Sequence, residues 1–157
     1  MRCNDGLVRP TWASHDELIR DYYDHEWGLP VHDEVGVFER LALEGFQAGL
    51  SWRTVLAKRE AFREAFAGSR PDAVAAFTDE DIERLASNPA IIRNRRKIEA
   101  SITNSRVFLD IVHEYGSFDA YIWGFTEGKS IRESWELRIT SPLSDRITKD
   151  LKRRGMK

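Results

Sequence analysis

The sequence predicts an all-α fold: a single-domain orthogonal bundle of about eight helices, spanning residues 1–157. Three observations lead there. Apolar residues recur three and four positions apart along most of the chain, the period of helices that bury one face. Start and stop chemistry divides these stretches, with Ser, Thr or Asp before them, Pro in first turns and Gly after last turns. Alternating apolar and polar runs, which a half-buried strand needs, are scarce.

The elements follow in order. Ser14-His15-Asp16-Glu17 reads as a capping box that opens a short helix through Tyr23. Asp33 caps the next helix, with Val37, Phe38, Leu41, Glu44 and Ala48 on one side. Ser51 begins a third, carrying Trp52, Val55, Leu56, Phe62 and Phe66. Pro71 suits a first turn, and Thr78 to Asp81 forms another cap. Asn88-Pro89 is a break. A long helix then carries Ile98, Ile102, Phe108, Ile111 and Val112 and stops near Gly116. Ser117 to Trp123 makes a short helix. Thr140-Ser141-Pro142 starts the last one, which stops at Gly155 after Lys152-Arg153-Arg154.

Bulk properties narrow the function. A 41% hydrophobic chain of this length can bury one proper core. No apolar run is long enough to cross a membrane. Met1-Arg2-Cys3-Asn4-Asp5 lacks the apolar stretch of a secretory leader. The single cysteine, Cys3, excludes an internal disulfide framework and fits a reducing cytoplasm. A net charge of −2 means that any nucleic-acid surface must gather its basic residues on one face.

Glu44 is the most informative residue. On the helical wheel it lies among Val37, Leu41 and Ala48, where a carboxylate loses hydration unless something pairs with it. It is either a buried glutamate satisfied by an arginine or a backbone group, or an acid that reads a ligand. Gly45 and Gly49 admit a close backbone or a flat ligand. Tyr22, Trp27 and Trp52 stand nearby in the sequence pattern, and each indole has ordinary core packing as its alternative role. Together with Glu44 they would form flat walls around one negative acceptor, suited to a planar cationic heterocycle.

Tyr22-Tyr23-Asp24-His25-Glu26-Trp27-Gly28-Leu29-Pro30, Leu43-Glu44-Gly45-Phe46-Gln47-Ala48-Gly49-Leu50-Ser51-Trp52 and Ile91-Ile92-Arg93-Asn94-Arg95-Arg96-Lys97-Ile98 resemble the DNA-3-methyladenine glycosylase I family. Arg2-Cys3, Thr140-Ser141-Pro142 and Leu151-Lys152-Arg153-Arg154-Gly155 extend the likeness over nearly the whole chain, in order. The resemblance implies a helix-hairpin-helix DNA glycosylase that acts in base-excision repair. It would hydrolyse the N-glycosidic bond of 3-methyladenine in alkylated double-stranded DNA by base flipping, as a cytoplasmic monomer without a cofactor. It would release free 3-methyladenine and leave an abasic site. Glu44 would be the catalytic, base-reading acid, and Tyr22, Trp27 and Trp52 the walls of the base pocket. The other reading of the same chain is a non-catalytic helical module that binds DNA or protein and keeps a relic pocket.

The sequence departs from the family twice. Zinc joins the chain ends in many members through an early Cys and His and a late His and Cys. Cys3 matches the first ligand and is the sole metal candidate here. Tyr23 stands at the early histidine, and a tyrosine is a poor zinc ligand. The late pair is absent, and His15, His25 and His32 have no recognisable ligand spacing. The reading therefore expects no zinc. The family's hairpin also continues into a second helix, whereas this sequence ends two residues after Gly155, so a C-terminally truncated domain is expected. Two basic clusters remain: Arg93, Arg95, Arg96 and Lys97, and Lys149, Lys152, Arg153, Arg154 and Lys157. Each is a solvated helix face or a phosphate contact, and proximity to the hairpin favours Lys152, Arg153 and Arg154 for the DNA backbone.

Overall fold

A computed structural model describes residues 1, 3–132 and 139–157. Arg2, part of the opening resemblance, lies outside them. The described residues form nine α-helices and two short 3-10 turns, with no strand element.

The first turn, Thr11–Ala13, precedes α1 (Glu17–His25). The cap of α1 is Asp16 rather than Ser14: its carboxylate accepts from the Ile19 N–H at 3.0 Å. The backbone decides this. Asp16 is extended, as a cap must be, whereas Ser14 continues the 3-10 turn in helical geometry. The Ser14 hydroxyl instead donates back to the Pro10 carbonyl at 2.8 Å. Asp33 caps α2 (Glu34–Gln47) as expected, accepting from Gly36 N–H at 2.8 Å.

The stretch expected to be a single third helix is two, α3 (Trp52–Ala57) and α4 (Arg59–Ala65). Lys58 breaks it with ψ near zero, and its N–H bonds to Val55 at 3.1 Å in a 3-10 pattern. The short α5 (Pro71–Ala75) and α6 (Asp79–Ala86) follow, the latter with the Thr78–Asp81 capping box in place. The long α7 (Arg95–Tyr115) starts at an Asn94 cap and stops at Gly116, whose φ of +84° few other residues tolerate. Finally, α8 (Phe118–Gly124) and α9 (Pro142–Arg153) are capped by Ser117 and Ser141.

The core is organised by α7, which packs against α2, α5, α6 and α8. Ile98, Phe108 and Ile111 are fully enclosed. Phe108 stacks on Phe118 at 4.2 Å and meets the edge of Phe38 at 5.5 Å. A smaller cluster of Ala13, Ile19 and Leu56 joins the N-terminal turn to α1 and α3. Trp52 packs against both clusters, so the two apolar bodies meet at one indole. Phe108→Ala should cost about 3–5 kcal/mol, measured by chemical denaturation, because a cavity would open at the centre of the aromatic stack.

Candidate functional site

Three chain segments converge beside Trp52: the turn before α1 together with α1 itself, the last turns of α2, and the start of α3. They enclose a cavity of about 300 Å³ lined by Trp12, Tyr22, Trp27, Glu44, Gln47 and Trp52. The structure thus brings Tyr22, Trp27, Glu44 and Trp52 together in one cavity and adds two residues not anticipated. Gln47 lies three positions after Glu44 on the same helix face, a signal present in the sequence. Trp12 comes from a 3-10 turn without helical periodicity, and only tertiary packing reveals it. A larger groove of about 600 Å³ lies between α8 and α9. Among the described residues its one acid is Asp150, which is bonded to Tyr121, Arg153 and Arg154.

Glu44 departs from the expectation of a carboxylate on the apolar stripe. It is exposed to the water of the cavity, at the edge of the buried face formed by Val37, Phe38, Ala42, Leu43 and Phe46. Among the described residues it has no hydrogen-bond or ion-pair partner. Arg40, at the i−4 position suited to a helical ion pair, instead donates to the Leu29 carbonyl at 3.1 Å. The neighbouring arginines are also engaged: Arg53 with Asp16, Arg59 with Glu26, and Arg63 with Glu39. Partial withdrawal from water pushes the Glu44 pKa up, with no neighbouring charge opposing the shift.

The walls are aromatic. Tyr22 meets Trp52 edge to face at 5.4 Å. Burial raises the Tyr22 pKa first and the Glu44 charge second, while the nearby Trp52 indole opposes the shift. The Trp52 N–H is buried without a hydrogen-bond partner among the described residues. Trp27 is 54% exposed and is held at the end of α1, where its N–H bonds to the Tyr22 carbonyl at 2.9 Å. Tyr23 stacks on Trp27 at 5.4 Å, and Trp12 stands edge-on to both.

No other backbone closes on the two glycines. Gly49 adopts φ +79° in the turn between α2 and α3, and a side chain on Gly45 would meet no protein atom within 4 Å. Of the first basic cluster, Arg95 pairs with Glu83 and Glu99, and Lys97 donates to the Phe46 and Ala48 carbonyls. In the second cluster Arg154 is 14% exposed, bonded to Glu114, Asp150 and Tyr115, and lies over the Tyr115 and Tyr121 rings. It holds α9 against α7 and α8. Lys152 and Arg153 remain at the surface, Arg153 with Asp150 beside it.

The fold and cavity define a helical protein with a small slot lined by four aromatic side chains, one carboxylate and one amide. The family model described as methyladenine glycosylase matches residues 12–157. The chain belongs to that family. It is 41% identical to DNA-3-methyladenine glycosylase 1 of Escherichia coli over 158 residues, covering 96% of this chain and 83% of that protein. It is 39% identical to DNA-3-methyladenine glycosylase of Haemophilus influenzae, covering 94% of this chain and 82% of the other. The structure of Staphylococcus aureus 3-methyladenine DNA glycosylase I superposes with a TM-score of 0.87 at 38% identity, covering 99% of this chain and 81% of that one.

The family match begins at residue 12, beyond the arm that carries Cys3. This arm does not suit the zinc that the family resemblance raised. Cys3 is the single cysteine of the sequence, and a structural zinc needs further Cys or His ligands beside it. Tyr23 is committed to the Trp27 stack, His25 to Asp21, and His32 to Asp119. Among the described residues no group of three His, Cys, Asp or Glu side chains converges on one point. Arg9 anchors the arm instead. It is 4% exposed and bonds Asp24 through Nε at 2.8 Å and Nη2 at 2.6 Å. Its Nη1 reaches Asp5, and its carbonyl accepts from the Met1 ammonium at 2.6 Å. Treatment with a chelator should therefore leave the melting temperature unchanged. Arg9→Met should lower it and open the arm to limited proteolysis; a chelator-induced drop would contradict this account.

Proposed function

We propose that this chain is a monofunctional DNA-3-methyladenine glycosylase, acting as a monomer in the cytoplasm on alkylated double-stranded DNA. The supporting observation is the unpartnered Glu44 carboxylate facing a slot walled by Trp12, Tyr22, Trp27 and Trp52. At about 300 Å³ the slot lies at the small end of ligand sites, suited to one bicyclic base and too small for a nucleotide with its sugar and phosphates. The S. aureus relative recognises 3-methyladenine, and the same chemistry suits this slot.

The mechanism follows from the charge of the damaged base. An adenine methylated at N3 carries a positive charge while bonded to its sugar, so it is already a good leaving group. The target must be flipped from the duplex to enter the slot. There the aromatic walls complement a flat cation, and Glu44 accepts hydrogen bonds from the amino edge of the base. An unmodified adenine offers no charge to match the carboxylate. Shape and charge act together, because one methyl group discriminates weakly. As the C1′–N9 bond breaks, its electron pair neutralises the departing ring. Water attacks C1′, which has oxocarbenium character, and loses its proton to solvent. The products are free 3-methyladenine and an abasic site. No lysine attacks the sugar. Lys152 and Arg153 contact DNA phosphates, while Arg154 keeps its structural position.

Release of 3-methyladenine from methylated DNA tests this reading. Glu44→Gln should slow release about a hundredfold. Wild-type activity should fall on acidification through a limb above the ordinary glutamate range, because protonation removes the acceptor charge and the Glu44 pKa is raised. Glu44→Gln should lose that limb. It should be no less stable than wild type at neutral pH, since a raised carboxylate pKa favours folding only below it and that contribution is lost as pH rises. Equal release by wild type and Glu44→Gln would refute the assignment. Release by neither, with DNA still bound, would favour the non-catalytic module. The logarithm of the DNA-binding constant should decline linearly with the logarithm of salt concentration, and Lys152→Ala should reduce the slope by about one. An unchanged slope would remove Lys152 from the DNA surface.

A further inference from the structure

We propose that Lys97 is a positioning residue for the base pocket, capping the end of α2 from across the fold and holding the corner that carries Glu44, Gln47 and Trp52. The inference rests on the glycosylase reading of that pocket.

The need arises at the C-terminus of α2. A helix leaves its last carbonyls without intrahelical partners and carries partial negative charge there. The last turn of α2 contains no basic residue of its own. Lys97 supplies the missing cation, and its ammonium donates to the carbonyls of Phe46 at 2.7 Å and Ala48 at 2.6 Å. These two groups bracket Gln47, a residue of the pocket wall.

Local structure locks both sides of this contact. The Asn94 side chain accepts from the Lys97 N–H at 3.2 Å and so sets its place in the first turn of α7. That turn holds no acid to attract the ammonium elsewhere, and the positive end of the α7 dipole disfavours a cation there. The α2 carbonyls therefore offer the better site. On the other side the corner closes on itself: Gln47 Nε2 donates to the Leu50 carbonyl at 2.8 Å, and Leu50 N–H returns to the Gln47 carbonyl at 2.7 Å. Gly49 makes the turn, and Ser51 caps α3 by accepting from Thr54 N–H. Glu44 stands one turn before the corner and Trp52 directly after it. A cation that fixes the corner fixes the distance between the acid and the indole.

Lys97 does this without quenching Glu44. Burial accounts for the raised Glu44 pKa, with no lysine charge opposing it. Its loss should therefore disturb geometry and leave the acid limb of the pH profile in place.

The test compares Lys97→Met, Lys97→Gln and Lys97→Arg in the full chain, well below each melting temperature. Affinity for free 3-methyladenine is read by tryptophan fluorescence, and base release is followed across pH. Lys97→Met should weaken base affinity about tenfold with an unmoved acid limb, and Lys97→Arg should restore most of it. Lys97→Gln, which retains one donor group, should fall between and carries the test if the Met variant does not fold. Lowered thermal stability with unchanged affinity and release would overturn the proposal, as would a shifted acid limb. Failure of the wild-type protein to bind the base would instead remove the pocket reading on which the proposal rests.

Discussion

The slot depends on one carboxylate, Glu44, that has no partner among the described residues and stands beside aromatic rings. Four arginines of α2, α3 and α4 are engaged with other groups. Arg40 sits one helical turn from Glu44 and reaches the Leu29 carbonyl instead. Arg59 closes on Glu26, Arg53 on Asp16 and Arg63 on Glu39. Each pair ties one helix to another while leaving the acid of the slot for an incoming cation. Such partly exposed pairs position the helices and add little stability of their own.

The slot also depends on where the two apolar clusters meet. The large core around α7 and the small cluster around α1 and α3 share the Trp52 indole. Had all helices packed into one body, the indole would be enclosed and no slot would remain beside it. The junction lets one indole be firmly held by packing and still present an edge to a ligand. Trp12 and Trp27, by contrast, are about half exposed. Their positions come from the Tyr23 stack and from the N-terminal arm that Arg9 fastens down. A guanidinium and two carboxylates hold that arm to α1.

Basic residues show how little a charge run says about its use. Arg95, Lys97 and Arg154 all stand in basic runs, Arg154 in the one favoured for phosphate, but the fold assigns each to a different internal partner. Lys152 and Arg153 differ only in helical phase from Arg154, and that phase keeps them at the surface. On α9, a shift of one residue separates a structural arginine sandwiched by tyrosines from a neighbour available to a phosphate.

Local chemistry determined much of the plan in advance. Asp33, Thr78, Ser117, Ser141 and Gly116 mark their helix ends because a cap bond or a left-handed residue involves only near neighbours. The spacing of Tyr22, Trp27, Glu44 and Trp52 was likewise visible, since helical phase and a strong family resemblance are both linear properties. The tertiary structure decided the rest. It moved the first cap from Ser14 to Asp16 because a preceding turn had already claimed Ser14. It broke one expected helix at Lys58, brought Trp12 into the slot, and placed Glu44 in the cavity's water and not on the buried stripe. Each of these outcomes rests on which distant groups arrive at a given residue. Interaction energy depends on separation in space, which the order of residues along the chain constrains only over a few turns.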